Sequence, residues 1–159
     1  MANTKAKVVE EVVEEVMEKK EAVNVLDLLL GSDAGEIKLP TKKVEIKRLS
    51  DHYGAPFIVT CTALTPDKYE DVQDMALDIS GKDVDLDINL LKTITVMEGV
   101  LDANGKYLFK NAELMKKYKA PTPKELVKIL LLSGEINSLY ATIADLSGFG
   151  EDAIEEVKN

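Results

Sequence analysis

The sequence contains few of the residues that most enzymes and nucleic-acid-binding proteins use. It has one cysteine, one histidine and no tryptophan, and its single arginine is Arg48. With only Cys61, no intramolecular disulfide can form, which fits a reducing cytosol. With only Arg48, bidentate contacts to phosphate or guanine are not expected. No apolar run approaches the roughly 20 residues that span a bilayer, and the chain opens into a glutamate-rich stretch without an apolar signal core.

The charge of the chain is strongly one-sided. Twenty-nine acidic residues outnumber twenty lysines and arginines, which gives a net charge of −9. An acidic surface repels phosphate backbones and anionic membranes, so we expect neither nucleic-acid nor membrane binding. An acidic protein can also imitate DNA, but that requires its carboxylates in a duplex-like array on one face. Here they are spread across many predicted helices.

Candidate catalytic and metal-binding residues do not form a site. His52 stands beside Asp51, but adjacent residues rarely face one target, and an exposed histidine is the simpler interpretation. Cys61 alternates with apolar residues and is interpreted as a buried structural thiol. The aspartates at 74, 78, 83, 85 and 87 lack the glycine and the closing glutamate of a calcium loop, so capping and solubility explain them better. The sequence predicts no catalytic, cofactor or metal site, and hence no enzyme.

The first part of the chain has an amphipathic pattern. Valines at 8, 9, 12, 13 and 16 recur at helical spacing, and glutamates occupy the other face. Because valine is a poor helix former, this segment is either a helix that docks on a partner or a frayed arm. We expect residues 1–22 to be an arm outside the globular domain.

A strand pattern follows within an otherwise helical sequence. Val44 and Ile46 alternate with charged residues, and Phe57, Val59 and Cys61 alternate with β-branched ones. The stretch 54–56, Gly-Ala-Pro, predicts the connecting turn. An antiparallel β-hairpin over about residues 43–64 is therefore predicted, with the alternating apolar side chains facing the helices.

Helices are predicted through most of the remaining chain. Residues 23–30 form a short apolar helix, Thr65 and Pro66 begin another that ends near Leu77, and Asn111 and Thr122 begin two more. The segment 84–101 is the most apolar one and predicts a central core helix, in which positions 90, 91, 94, 97 and 101 share one face. A last helix starts at Ser133 and is broken at Gly148.

These elements predict an α+β, mainly α-helical protein. About six or seven helices surround the central apolar helix, with one antiparallel hairpin. We expect a single globular domain over residues 23–150, followed by a flexible acidic tail at 151–159, which buries too little apolar surface to offset its ordering entropy.

Several segments, taken in order and spacing, resemble the XkdN-like tail assembly chaperones of tailed phages and prophages. They are residues 27–37, 44–49, 56–60, 97–100, 120–126, 132–136 and 148–159. The resemblance covers roughly residue 23 to the C-terminus. It rests on the whole set, because no segment alone is a chemically specific motif.

The resemblance implies a function in the host cytoplasm. Members of this family are thought to coat the hydrophobic tape measure protein, recruit tail tube subunits, and leave before the particle is complete. It implies the tape measure and tail tube proteins as partners and leaves self-association open. The alternatives are a structural tail or baseplate component and an acidic regulatory module that binds proteins.

Reversible association with a partner needs an exposed apolar stripe or a free strand edge. The sequence offers one of each: the N-terminal valines and the first strand of the hairpin. The candidate partner-binding residues are Val8, Val12, Val13, Val16, Val44, Ile46 and Arg48.

Overall fold

The computed structural model describes residues 23–32, 35, 37–78 and 83–158. The N-terminal valines lie outside these residues. The chain divides between Lys38 and Leu39 into two parts, which are described separately. The predicted arm, domain and acidic tail stay predictions.

The first described helix, α1, spans Val25–Gly31. It begins where the side chain of Asn24 accepts a hydrogen bond from the backbone N–H of Leu26 (2.9 Å). The helix has seven residues and buries none of them. The predicted short apolar helix is therefore confirmed.

A three-stranded antiparallel sheet forms one layer of the second part. Its strands are β1 (Thr41–Glu45), β2 (Ile58–Thr62) and β5 (Val100–Leu101), in the order β1-β2-β5. Val44 lies opposite Val59 in the β1–β2 register. Val59, Cys61 and Ala63 are buried and Phe57 packs against the core, as their alternation predicts.

The prediction of a simple turn between β1 and β2 was wrong. Helix α2 (Lys47–Tyr53) lies between the strands and ends at Gly54, whose φ of 65° is left-handed. Glycine adopts that conformation without steric cost, so Gly54 stops the helix instead of forming a hairpin turn. The sequence pattern missed α2 because a helix of seven residues shows little periodicity.

The central apolar segment is a helix that is shorter than predicted. Helix α3 spans Pro66–Met75, the strands β3 (Leu77–Asp78) and β4 (Asp85–Leu86) pair with each other, and helix α4 spans Ile88–Gly99. Seven consecutive residues of α4, from Thr93 to Gly99, are buried, and so is Val100, the first residue of β5. Leu101, expected on the helix, belongs to β5, where the chain turns to pair with β2.

The remaining helices cover the core formed by α4 and the sheet. A 3-10 turn at Leu108–Lys110 is followed by α5 (Ala112–Lys117), α6 (Pro123–Leu130) and α7 (Ser133–Ala144). Asn111 and Thr122 cap α5 and α6 as predicted, each accepting a backbone N–H. A π-helical turn at Asp145–Phe149 ends α7, and Gly148 within it has a φ of 93°. The mainly helical α+β class is confirmed, with seven α-helices among the described residues.

Candidate partner-binding groove

The outermost strand, β1, is the starting point of the site. Within the described residues β1 has one neighbouring strand, β2. The backbone N–H of Ala63 donates to the carbonyl of Pro40, and that of Ile46 donates to the carbonyl of Phe57 (both 3.0 Å). In an antiparallel ladder the residues that bond to the neighbour alternate. The even-numbered residues of β1 therefore bond to β2, and the odd-numbered residues direct their N–H and C=O groups away from it.

Helix α7 forms the other wall of a groove beside this strand. It packs against β2 and α4. One face, made of residues one turn apart, is turned toward β1 and the start of α2. The groove has a volume of about 530 Å³. It is lined by Val44, Glu45, Ile46, Lys47, Arg48, Leu132, Gly134, Glu135, Ser138, Leu139 and Thr142.

The groove has an apolar floor and a polar rim. Ile46 and Leu139 are buried and Val44 is half-buried, so these three form the floor. Leu132 stands at one end with 57 % of its surface exposed. The rim carries Ser138, whose backbone carbonyl accepts a hydrogen bond from the hydroxyl of Thr142 (3.0 Å). An apolar floor with polar groups at its rim is typical of sites that bind other molecules.

Arg48 joins the two walls of the groove. Its Nε and Nη2 donate to the two carboxylate oxygens of Glu135 (3.0 and 2.8 Å), and Nη2 also donates to the carbonyl of Leu130 (2.8 Å). Glu135 in turn accepts the backbone N–H of Leu132 (2.7 Å), which satisfies a donor at the start of α7. The side-chain cap at the start of α7 therefore comes from Glu135.

The ion pair between Arg48 and Glu135 changes the pKa of both side chains. The hydrogen bond to Glu135 raises the pKa of Arg48. The hydrogen bond from Arg48 lowers the pKa of Glu135 below its ordinary value of 4.5, and the one from Leu132 adds to this. Both groups stay ionised around neutral pH, so the guanidinium of Arg48 is bound to partners within the protein.

A second charged cluster lies elsewhere and has a structural role. Glu98 is buried at the end of α4, where its Oε1 accepts a hydrogen bond from Lys110 Nζ (2.6 Å). Lys68 Nζ lies 3.2 Å from Oε2, which is an ion pair without hydrogen-bond alignment. Both lysines also stand over the ring of Tyr107. A buried carboxylate between two lysines ties α3, α4 and the 3-10 turn together.

The other polar candidates among the described residues are exposed, buried or used as caps. His52 is exposed on α2, against the edge of Tyr53. Cys61 is fully buried, and this burial raises the pKa of its thiol to about 11. The side chain of Asp87 caps α4, and that of Asp102 accepts two backbone N–H groups in its turn. Among the described residues no three histidine, cysteine or acidic side chains are grouped to hold a metal ion.

The structure brings three of the predicted partner-binding residues together. Val44, Ile46 and Arg48 all line the groove, whereas Val8, Val12, Val13 and Val16 lie outside the described residues. Sequence reasoning missed the whole α7 wall. The Arg48–Glu135 contact spans 87 residues, and no local pattern indicates which distant helix approaches a strand.

Within the described ranges, no single helix is long and apolar enough to cross a bilayer. One pair of the described helices, Pro123–Leu130 and Ser133–Phe149, reaches that length and apolarity when taken together, and the pair is bent by 118°.

Comparison with known proteins identifies the class of the chain. The family model for phage XkdN-like tail assembly chaperone proteins matches residues 26–158, which include the whole groove. No curated protein matches the sequence. The crystal structure of the protein YqbN, a structural genomics target, superposes with a TM-score of 0.52 and 21 % identity, over 73 % of this chain and 92 % of that one. At that identity the likeness shows the fold alone.

The matched family and the helical fold with its small sheet define a phage tail assembly chaperone. Within that class, the chain belongs to the XkdN-like family.

Proposed function

We propose that this chaperone binds the tape measure protein in the host cytoplasm, promotes assembly of the tail tube around it, and is absent from the mature particle. The observation that carries the proposal is the match of residues 26–158 to the tail assembly chaperone family. The groove supports it, because an apolar floor beside a strand edge can hold a client segment without any bond being made or broken. We propose no catalytic activity and no cofactor.

The N-terminal valines give this proposal a second contact surface. Val8, Val12, Val13 and Val16 would lie in a stripe on one side of a helix, which a solitary helix leaves in water. We propose that this stripe adds to client binding or to self-association. Deletion of residues 2–20 is then expected to preserve the melting transition and weaken the complex. A truncated protein that fails to fold would contradict this.

Co-expression with the tape measure protein of the same genome tests client binding. The parent chain is expected to keep that protein soluble and to co-purify with it. Leu132→Asp places a charge at the end of the groove and should reduce the yield of the complex. Ile129→Asp is the matched control, because Ile129 is similarly exposed (49 %) on α6 and does not line the groove. Equal effects of the two variants would remove the groove from the proposal.

Mass spectrometry of purified particles tests the second half of the proposal. The chain should be missing from complete tails and present in lysates in which assembly is blocked. Its retention in purified particles, in a fixed ratio to tube subunits, would instead identify a structural tail component.

A further inference from the structure

We propose that the groove takes an extended, acidic polypeptide segment, which pairs with the outer edge of β1 as an added strand. The inference rests on the proposed function for the source of that segment, the client. It goes further by assigning the segment a conformation, a charge and a pairing strand.

The backbone of β1 supplies the pairing groups. Thr41, Lys43 and Glu45 each direct one N–H and one C=O away from β2, as the β1–β2 ladder requires. Five strand residues extend about 17 Å, so an added strand of similar length could pair along all of β1. Main-chain pairing of this kind gives affinity that depends little on the sequence of the partner.

The groove determines which side chains of the added strand fit. Alternate residues of that strand would point to the same side of the sheet as Val44 and Ile46, above Leu139 of α7. That space has an apolar floor and a volume of about 530 Å³. Apolar side chains at every second position therefore suit it, and the residues between them point away from the floor.

Charge around the strand selects an acidic partner. Residues 39–48 carry four basic side chains, Lys42, Lys43, Lys47 and Arg48, and one acidic one, Glu45, within a chain of net charge −9. Arg48 is paired with Glu135, Lys47 is exposed at the groove, and Lys43 is exposed on β1, on the face of the strand opposite to Val44. A locally basic edge on an acidic protein attracts acidic segments and repels basic ones.

The same charges disfavour a second copy of this chain as the occupant. Two β1 edges paired with each other would bring lysines of both copies close together, and like charges on facing strands are destabilising. Lysine on an edge strand is also a common means of preventing edge-to-edge association. A separate acidic strand meets neither obstacle.

A synthetic fluorescent peptide of alternating valine and glutamate serves as the probe, with fluorescence anisotropy as the measurement. It should bind the full chain and lose affinity by at least about tenfold in roughly 1 M salt, where the Debye length is about 3 Å. A peptide with lysine in place of glutamate should bind at least about tenfold more weakly. A valine–glutamate peptide with N-methyl groups on alternate residues, which removes the pairing donors, should also bind weakly. Equal binding of all three peptides would overturn the proposal.

Two variants of the protein complete the test. Lys43→Pro removes an outward N–H of β1 while leaving the bonds to β2 in place, a position where an edge strand tolerates proline. It should melt like the parent and lose peptide binding. Lys43→Gln should bind with intermediate affinity, and Lys116→Gln, on the exposed part of α5, should bind like the parent. If Lys43→Pro does not fold, the N-methylated peptide tests the same bonds.

The outcomes separate this inference from the proposed function. Peptide binding that depends on Lys43, together with no co-purification of the tape measure protein, would leave the inference standing and overturn the proposed client. Co-purification that is unchanged in folded Lys43→Pro would overturn the inference alone. A concentration-dependent dimer of the parent that disappears in Lys43→Pro would identify a second copy as the occupant and also overturn it.

Discussion

A close contact between helices α4 and α7 gives a sharp test of the core. Gly99, the last residue of α4, packs against Ile143 of α7, which is fully buried. A Cβ atom built on Gly99 would lie 2.6 Å from Cδ1 of Ile143 and 2.9 Å from both Cγ1 and Cγ2. Carbon atoms normally approach to about 3.5–4.0 Å. Gly99→Ala therefore forces Ile143 or a whole helix to move by about 1 Å.

The magnitude follows from two opposing effects. Overpacking of a well-packed core costs roughly 1–3 kcal/mol, whereas replacing glycine by alanine in a helix gains up to about 1 kcal/mol. We expect Gly99→Ala to lower the free energy of unfolding by about 1–2 kcal/mol. Urea unfolding followed by circular dichroism measures this as a lower midpoint with an unchanged m-value.

A double-mutant cycle and a control make the result specific. Ile143→Ala alone should cost about 2–5 kcal/mol through the cavity it leaves. In the double variant the new methyl group fills part of that cavity, so the combined loss should be smaller than the sum by about 1 kcal/mol or more. Gly134→Ala, in the first turn of α7, has nothing within 4 Å of its Cβ and should be neutral or slightly stabilising. A parent-like Gly99→Ala, or additive losses, would refute the close crossing.

Three further predictions concern the sheet and the groove. Val59→Asp places a charge in a buried site and should lower the free energy of unfolding by several kcal/mol. Ile58→Asp, on the exposed face of the same strand, should change it by less than about 1 kcal/mol. Equal urea midpoints of the two variants would mean that the inward face is assigned wrongly. Burial raises the pKa of Cys61 to about 11, so a thiol reagent at pH 8 should label the native parent slowly. The Val59→Asp variant should be labelled faster. Rapid labelling of the native parent would contradict the burial of Cys61. The lowered pKa of Glu135 contributes stability that is complete above 4.5 and is lost as the pH falls through the folded-state value. The difference in Tm between the parent and Glu135→Gln should therefore be larger at pH 7 than at pH 3, and a constant difference would contradict the ion pair.

The parts of the fold that sequence predicted are those fixed by neighbouring residues. Thr65, Asn111 and Thr122 each begin a helix, because a cap depends on the N–H groups two or three residues ahead. The alternation around Val59 gave the buried face of β2, since the pleat has a period of two.

The missed features depend on distant contacts or on short elements. Helix α2 has too few residues to show a period, and only the left-handed Gly54 marks its end. Leu101 fits the helical pattern of α4 but leaves it to pair with Thr60, a tertiary contact that overrides local preference. Only the strand side of the groove could be predicted, because it follows from the local alternation of residues in β1. The α7 side depends on a distant contact that no local pattern indicates.

The residues that bring α7 against the sheet are far apart in the sequence, and this separation determines when the groove can form during synthesis. Arg48 meets Glu135 across 87 residues, and the backbone N–H of Leu64 donates to the hydroxyl of Ser147 across 83. A chain emerging from the ribosome therefore presents β1 and β2 well before α7 is made. During that interval the strand edge has no helical wall beside it, and neighbouring nascent chains on one messenger carry the same lysines, which repel each other. The groove is complete only after α7 has been translated, so a product truncated before α7 lacks one of its two walls.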